Sequence, residues 1–218
     1  MKRTIAILAL TLVIGAVGAS ATDVLTFSGF QQPYEAIDNY YNGGFGGSGS
    51  GPGPNYGIVF GSDALALPNG PSSNVANEPF GATGSMIFLS GLGDVMDVAG
   101  GFNTGFSFFY AAPGYTGSVQ VYSGLDGTGT ELASLPLNLN GGYCDGYSQT
   151  YSCWSSVGVS FAGTAESAIF SGTANYIAFS DVTLGSAAPG PVPEPSTLLM
   201  FGSGVLGLAG ALRRKFNV

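Results

Sequence analysis

Over most of this sequence, the chemistry on offer is that of carboxylates, hydroxyls, amides and phenol rings. All five Lys and Arg residues sit at the two ends: Lys2 and Arg3 at the start, Arg213, Arg214 and Lys215 at the finish. Between residues 22 and 190 there is no Lys, Arg or His, yet every one of the thirteen carboxylates except Glu194 lies there. Without imidazole, Ser-His-Asp and Cys-His nucleophilic catalysis are excluded. Without Lys or Arg there is no Schiff-base amine, phosphate clamp or basic nucleic-acid surface, so no nucleic-acid partner is expected. One catalytic device survives, a pair of carboxylates flanking a glycosidic bond. Asp94 with Asp97, or Asp145 with Glu166, could supply it. Acids at such intervals more often mark turns and solvated faces. The expectation is a non-catalytic protein, with a carboxylate-only glycosidase as the lesser alternative.

Binding has better raw material. Tyr40, Tyr41, Tyr56, Tyr143, Tyr147, Tyr151 and Trp154 lie near glycine-rich or polar segments rather than inside apolar runs. Planar rings with polar tips suit sugars, whose C–H faces stack on aromatics while their hydroxyls reach amides and carboxylates. Trp154, Tyr147, Tyr151, Tyr40 and Tyr41 are the candidate glycan-binding residues, and a carbohydrate-binding module using Tyr and Trp loops is one functional reading. The competing role is packing: a lone Trp beside a cystine commonly belongs to a core, and Tyr40-Tyr41 would suit a core rim.

The elements that must position these rings are short strands. Alternating apolar runs recur between Gly, Asn, Asp and Pro punctuation, and no long stretch has a helical apolar period. Candidate strands cover 24–30, 56–60, 85–90, 95–99, 105–110, 118–122, 131–135, 157–161, 166–170 and 176–184. In the last, Ile177, Phe179, Val182 and Leu184 change phase around Ser180-Asp181, which predicts a bulge or a strand buried on both faces. Leu125-Asp126-Gly127-Thr128 reads as a hairpin turn, since Asp-Gly tolerates positive φ. Residues 42–55 carry seven glycines and read as a long surface loop of flexible coil. Residues 68–79 form a second loop. The fold class expected is all-β, an antiparallel β-sandwich of jelly-roll type, over residues 22–188.

The ends are addresses. A basic start, the apolar run 5–17 and Ala19-Ser20-Ala21 describe a secretory signal peptide over residues 1–21. At the other end, Pro191, Pro193 and Pro195 prevent helix, and an apolar stretch over 197–212 follows, closed by the basic tail. A helix of about 15 residues spans roughly 22 Å, short for a hydrocarbon core of ~30 Å, but snorkelling basic side chains extend it. The positive-inside rule keeps Arg213, Arg214 and Lys215 cytoplasmic and sends everything upstream across the membrane. Ser203, Gly207 and Ala211 give this single transmembrane helix a small-residue face. Export places Cys144 and Cys153 in an oxidising compartment, where a disulfide between them should stabilise by roughly 2–3 kcal/mol.

Val192-Pro193-Glu194-Pro195-Ser196-Thr197-Leu198-Leu199, the Gly-rich apolar helix and Arg213-Arg214-Lys215 resemble the PEP-CTERM sorting signal of Gram-negative bacteria, here over residues 189–218. The resemblance implies recognition of Pro193, Glu194 and Pro195 by exosortase, a membrane-embedded transpeptidase. It also implies transient anchoring by the helix and delivery to the cell surface or extracellular matrix. The stretches Leu25-Thr26-Phe27, Val98-Ala99-Gly100-Gly101-Phe102 and Ile177 to Ser186 resemble the cargo domain of many such proteins, which implies association with extracellular polysaccharide. The strands are also similar to jelly-roll carbohydrate-binding modules, which often hold a structural calcium. That resemblance implies no other cofactor and makes Glu35, Asp38 and Asp181 the candidate calcium ligands. Ser28 and Ser180 stand where relatives often carry acids.

Overall fold

The computed structural model describes residues 22–70 and 73–190. The expected signal peptide over 1–21, the sorting residues Pro193, Glu194 and Pro195 and the helix over 197–212 lie outside the described residues. Among the described residues, no helix is long and apolar enough to cross a membrane.

Ten strands, every ladder antiparallel, form one hydrogen-bonded network. They are β1 (Val24–Leu25), β2 (Glu35–Ala36), β3 (Ile58–Phe60), β4 (Leu65–Pro68), β5 (Gly84–Ile87), β6 (Gly93–Ala111), β7 (Gly117–Tyr122), β8 (Glu131–Leu137), β9 (Ser155–Gly172) and β10 (Ala178–Leu184). Strands β6 and β9 are 19 and 18 residues long and pair with each other along their length. Their ladder slips between Asp97 and Phe102 and again between Asn103 and Gly105. Bulges bend strands, so each of these two serves two layers. The first layer holds β3, the first half of β6, the second half of β9, β7 and β8. The second holds β2, β4, β5, β1, β10, the second half of β6 and the first half of β9.

Phenylalanines fill the space between the layers. Phe170 of the first layer lies 4.9 Å from Phe179, 6.0 Å from Phe108 and 6.2 Å from Phe106 of the second, ring centre to ring centre. Phe27 meets Phe60 at 6.1 Å in the same way. These edge-on and tilted contacts are the arrangements that aromatic quadrupoles favour. The outer face of the second layer is also apolar: Leu67, Ile87, Ala111 and Ala178 are covered by Val75, Tyr151 and half-buried Trp154. Burial on both faces explains why all seven residues of β10 are buried, as its shifting apolar phase implied. The bulge expected there is present, with the register slipping between Ser180 and Thr183 and Asp181 at φ 49°.

The sandwich differs from the sequence reading in three places. The segments 95–99 and 105–110 are one bent strand, as are 157–161 and 166–170, because the glycines between them bend the ladder without ending it. The strand expected over 24–30 stops at Leu25, since Phe27 turns left-handed at φ 53°. Strands β2 and β4 were not anticipated; both are short, with β2 at the sheet edge and β4 between β2 and β5. The Asp126-Gly127 hairpin forms as read, with φ of 55° and 67°.

The aromatic layer carries a stability prediction. Phe170→Ala leaves a cavity touching three other rings and should cost about 3–5 kcal/mol, whereas Leu92→Ala, at a position 83 % exposed, should stay within about 0.5 kcal/mol. Urea denaturation of the two variants measures the difference.

Candidate functional site

Cys144 and Cys153 form a disulfide, with Cα atoms 5.1 Å apart. It closes a turn in which Tyr143 and Asp145 both adopt positive φ, a conformation the covalent loop holds in place. Ser152 stitches the inside: its Oγ accepts the Cys144 N–H at 2.8 Å and donates to the Gln149 carbonyl at 3.0 Å. Asn77 Nδ2, from the segment after β4, lies 2.8 Å from Asp145 Oδ2 and 3.1 Å from the Ser152 carbonyl. Trp154 Nε1–H donates to the Ala76 carbonyl at 2.9 Å. A cavity of about 370 Å³ opens between these segments, lined by Asn77, Pro79, Asn140, Asp145, Trp154 and the cystine.

The tyrosines divide into two groups. Tyr40 and Tyr41 are 8 % and 3 % exposed, and their rings meet at 5.2 Å inside the core. Tyr41 Oη accepts the Phe27 N–H at 2.8 Å, and burial pushes its phenol far above the ordinary value. Tyr151 is also buried, donates to the Asn175 carbonyl and has its pKa pushed up to about 12 by burial. Tyr40, Tyr41 and Tyr151 therefore present no ring face to solvent, which corrects their sequence assignment to a sugar surface. Trp154 packs on the outer apolar cluster, as the packing alternative expected, and also lines the cavity.

The exposed tyrosines among the described residues are Tyr34, Tyr115, Tyr143, Tyr147 and Tyr176. Tyr115 and Tyr176 pair edge-on at 4.4 Å. The space beside Gly142 is bounded by Pro113, which brings Tyr143 alongside the Tyr115 loop. Tyr34, Tyr115 and Tyr176 were missed in the sequence. Their one available signal was position: Tyr34, Tyr115, Tyr143 and Tyr147 each directly follow Pro33, Gly114, Gly142 or Gly146, where a turn lifts a ring off the sheet.

The acids occupy quite different settings. Glu35 is 1 % exposed, and the 42–55 segment wraps it. Its Oε1 accepts the Ser48 and Ser50 N–H groups at 3.0 and 2.9 Å, and its Oε2 accepts the Ser50 hydroxyl at 2.6 Å. Burial alone would raise its pKa; donors from Ser50, Ser48 and Gln32 outweigh that and hold it below the ordinary value. A Cβ at Gly46 would stand 2.7 Å from Oε1, so bare backbone is required there. The glycine segment is therefore organised around an internal anion and tied by an Asn42–Asn55 bridge, not the flexible coil its composition implied.

Asp181, fully buried, has its carboxyl pushed up to about 7, chiefly by burial. Glu35 is thus committed to its loop, Asp181 sits in the β10 bulge, and half-buried Asp38 lies beside Gly47. Among the described residues, no three His, Cys, Asp or Glu side chains gather as a metal site. The expected Glu35, Asp38 and Asp181 calcium set does not assemble.

The acid pairs considered for glycoside cleavage fare no better. Asp94 is buried on the core-facing side of β6, while Asp97 on the opposite side accepts the Asp126 N–H at 2.8 Å. Asp145 lies in the disulfide turn, and Glu166 lies by the strand bend.

Comparison with known proteins bears on the far end of the chain. The family model for the PEP-CTERM protein-sorting motif matches residues 191–215. The chain is a PEP-CTERM domain-containing protein. The motif indicates an exported protein of a Gram-negative bacterium, transiently anchored in the membrane. No curated protein matches this PEP-CTERM chain. Solved structures with partial likeness include the β-1,3-glucan binding CBM6 from Bacillus halodurans, at 14 % identity and a TM-score of 0.39 over 60 % of this chain and 96 % of that one. Another is carbohydrate binding module CBM6cm-2 of the Cellvibrio mixtus lichenase 5A, at 14 % and 0.38 over 57 % and 88 %. A third is CBM35 from Paenibacillus barcinonensis, at 15 % and 0.38 over 60 % and 93 %.

Asp94 yields a pH prediction for the PEP-CTERM chain. Burial lifts its carboxyl from the ordinary 3.8 to about 6. A raised folded-state value means that the folded form holds the proton longer. The associated stability is complete below about pH 4 and is lost as pH rises through 6. The melting temperature should fall as pH rises from about 4 to 6, and Asp94→Asn should remove its share of that fall, while the part that persists up to about pH 7 belongs to Asp181, whose carboxyl is raised in the same direction.

Proposed function

We propose that this protein is an exported, exosortase-sorted, non-catalytic component of the cell surface or extracellular matrix whose sandwich binds polysaccharide through its tyrosine loops. The observation that carries the reading is polarity: the loops with Tyr115 and Tyr176 and the segment 185–188, by which the described chain leaves the sheet, lie at opposite ends of the domain. Strand β10 begins at Ala178, opposite Ala111 beside the Tyr115 loop, and ends at Leu184, opposite Phe106 near the bend. Residues 185–188 then lie across the bend. Gly185 N–H donates to the Gly105 carbonyl at 2.9 Å, and the Ser107 hydroxyl donates to the Ser186 carbonyl at 2.9 Å. A Cβ at Gly105 or Gly158 would stand 2.5 or 2.0 Å from Ala187 backbone atoms, so the two glycines make the bed for this strap. The sorting motif begins at residue 191, and an anchored chain would present the tyrosines away from the membrane.

The residues also define what those loops suit. Tyr115, Tyr176, Tyr143 and Tyr147 supply ring faces, and the Trp154 cavity supplies amides and a carboxylate. With no cation between residues 22 and 190, an acidic polysaccharide meets only repulsion, so a neutral one is favoured. The same lack of His, Lys and Arg, together with acids that do not face one another, supports a non-catalytic role.

Two measurements address this reading. In affinity electrophoresis against neutral polysaccharides, a Tyr115→Ala/Tyr176→Ala double variant and Tyr143→Ala should each weaken retention by about tenfold, a loss of ~1.4 kcal/mol. Phe45→Ala, exposed elsewhere, should leave it unchanged. Equal retention of all variants would remove the tyrosine loops from consideration. Intact mass of the protein from exosortase-bearing cells should lack the C-terminal apolar segment, and an uncut C-terminus there would end the sorting assignment.

A further inference from the structure

We propose that the first half of β9 is a self-association edge, along which the domain pairs antiparallel with a second copy of this chain about a two-fold axis at Gly158. Only the second half of β9 is paired on both sides: β7 joins it from Ser167 to Gly172. Over Ser155–Ser160, among the described residues, its ladder is with β6 alone. One row of backbone N–H and C=O groups therefore faces away from the sheet there. The side chains alternate. Val157, Val159 and Phe161 are half-buried against the core, and Ser156, Gly158 and Ser160 are exposed. The three apolar residues stay half-covered because the second layer ends at this strand. The 185–188 strap lies over the face of Gly158, where a Cβ would stand 2.0 Å from the Ala187 carbonyl, and not along the edge.

Free sheet edges are normally blunted by charge, proline or brevity. The other edges of this domain follow that rule: β8 carries Glu131 and Pro136, and β1, β2 and β3 are two or three residues long. The β9 edge has no such device, since residues 155–165 include no charge and no proline. Two observations select a second copy as its partner. Ser156-Val157-Gly158-Val159-Ser160 reads the same in both directions, and a two-fold contact requires a surface complementary to itself. Antiparallel pairing centred on Gly158 sets Ser156 of one copy opposite Ser160 of the other, and Val157 opposite Val159. Hydroxyl and β-branched pairs of this kind favour cross-strand contact. The second observation is charge. A domain with acids and no cation repels its own copies, and this edge brings no carboxylate with it; Glu166, the nearest acid along β9, lies past the bend. The pairing also fixes an orientation. Ser155 lies opposite Tyr110 at the tyrosine end and Ser160 opposite Gly105 at the bend, so paired copies point their tyrosine loops in opposite directions. Copies anchored side by side in one membrane lie parallel and cannot pair in this way, whereas released copies can. On the polysaccharide reading, which this consequence needs but the pairing itself does not, a released pair is bivalent and bridges two polysaccharide chains.

The test is sedimentation equilibrium of the full chain in detergent, without polysaccharide, so that its outcome is independent of sugar binding. Wild type should have the protein mass of two chains. A Ser156→Asp/Ser160→Asp double variant sets carboxylates opposite carboxylates and should fall to the mass of one chain. Ser156→Lys/Ser160→Lys should do the same. Mixed in equal amounts, the two double variants should regain the mass of two chains, because each Lys then faces an Asp, and that recovery also shows that both variants fold. A monomeric wild type would overturn the proposal. A dimer that persists in both double variants would overturn it too, and is the result that association through the C-terminal apolar segment gives. Double variants that remain monomeric when mixed would rule out the antiparallel register centred on Gly158, and the proposal with it.

Discussion

A folded domain without a single internal cation has to satisfy each buried carboxylate with neutral donors, and that constraint shapes this molecule more than any other. Glu35 shows one solution. Its charge is retained and surrounded by backbone N–H groups and a serine hydroxyl, and the donors come from a glycine-rich segment that no other feature would order. Asp94 and Asp181 show the opposite case: each keeps an oxygen without a donor, and burial lifts both carboxyls toward neutrality. Charge-assisted bonds to N–H groups are among the strongest available in a protein, and an unpaired buried carboxylate among the costliest groups to leave unmatched.

The second organising feature is the pair of long strands. By crossing from one layer to the other at a bulge, β6 and β9 hold both sheets with a single ladder, and Phe106, Phe108, Phe170 and Phe179 lock the layers from inside. Bending also creates the polarity of the domain. Strand β10 ends at the bend and the chain leaves the sheet there, while loops that carry Tyr115, Tyr143, Tyr147 and Tyr176 occupy the opposite end. The glycine bed at Gly105 and Gly158 then holds the outgoing chain against the sheet, so the exit direction belongs to the fold rather than to a loose tail.

Much of this was legible in the residues. Alternation located most strands, Asp126-Gly127 announced its turn, the apolar phase change in β10 anticipated the bulge, and the spacing of Cys144 and Cys153 in an exported chain anticipated their bond. Each of these depends on neighbours within a few residues. The tyrosine assignments did not share that property. Tyr40 and Tyr41 follow a polar residue and precede a glycine run, the same local signature as an exposed ring, yet Phe27 and Phe30 close over them from another segment. Tyr176 follows Asn175 at the end of an ordinary strand connection, and only its 4.4 Å pairing with Tyr115 marks it as part of a surface.

Periodicity and turn residues were enough to give an all-β chain, and the residues of the C-terminal motif a sorting signal, because side-chain alternation, turn preference and a short recognition motif are properties of short segments. Tertiary structure alone decided which rings face water, that two pairs of predicted strands are single bent ones, and which carboxylates lack a donor. These depend on what a distant segment brings to within about 3–6 Å, the range of hydrogen bonds and ring contacts, and no local pattern encodes a partner fifty or a hundred residues away.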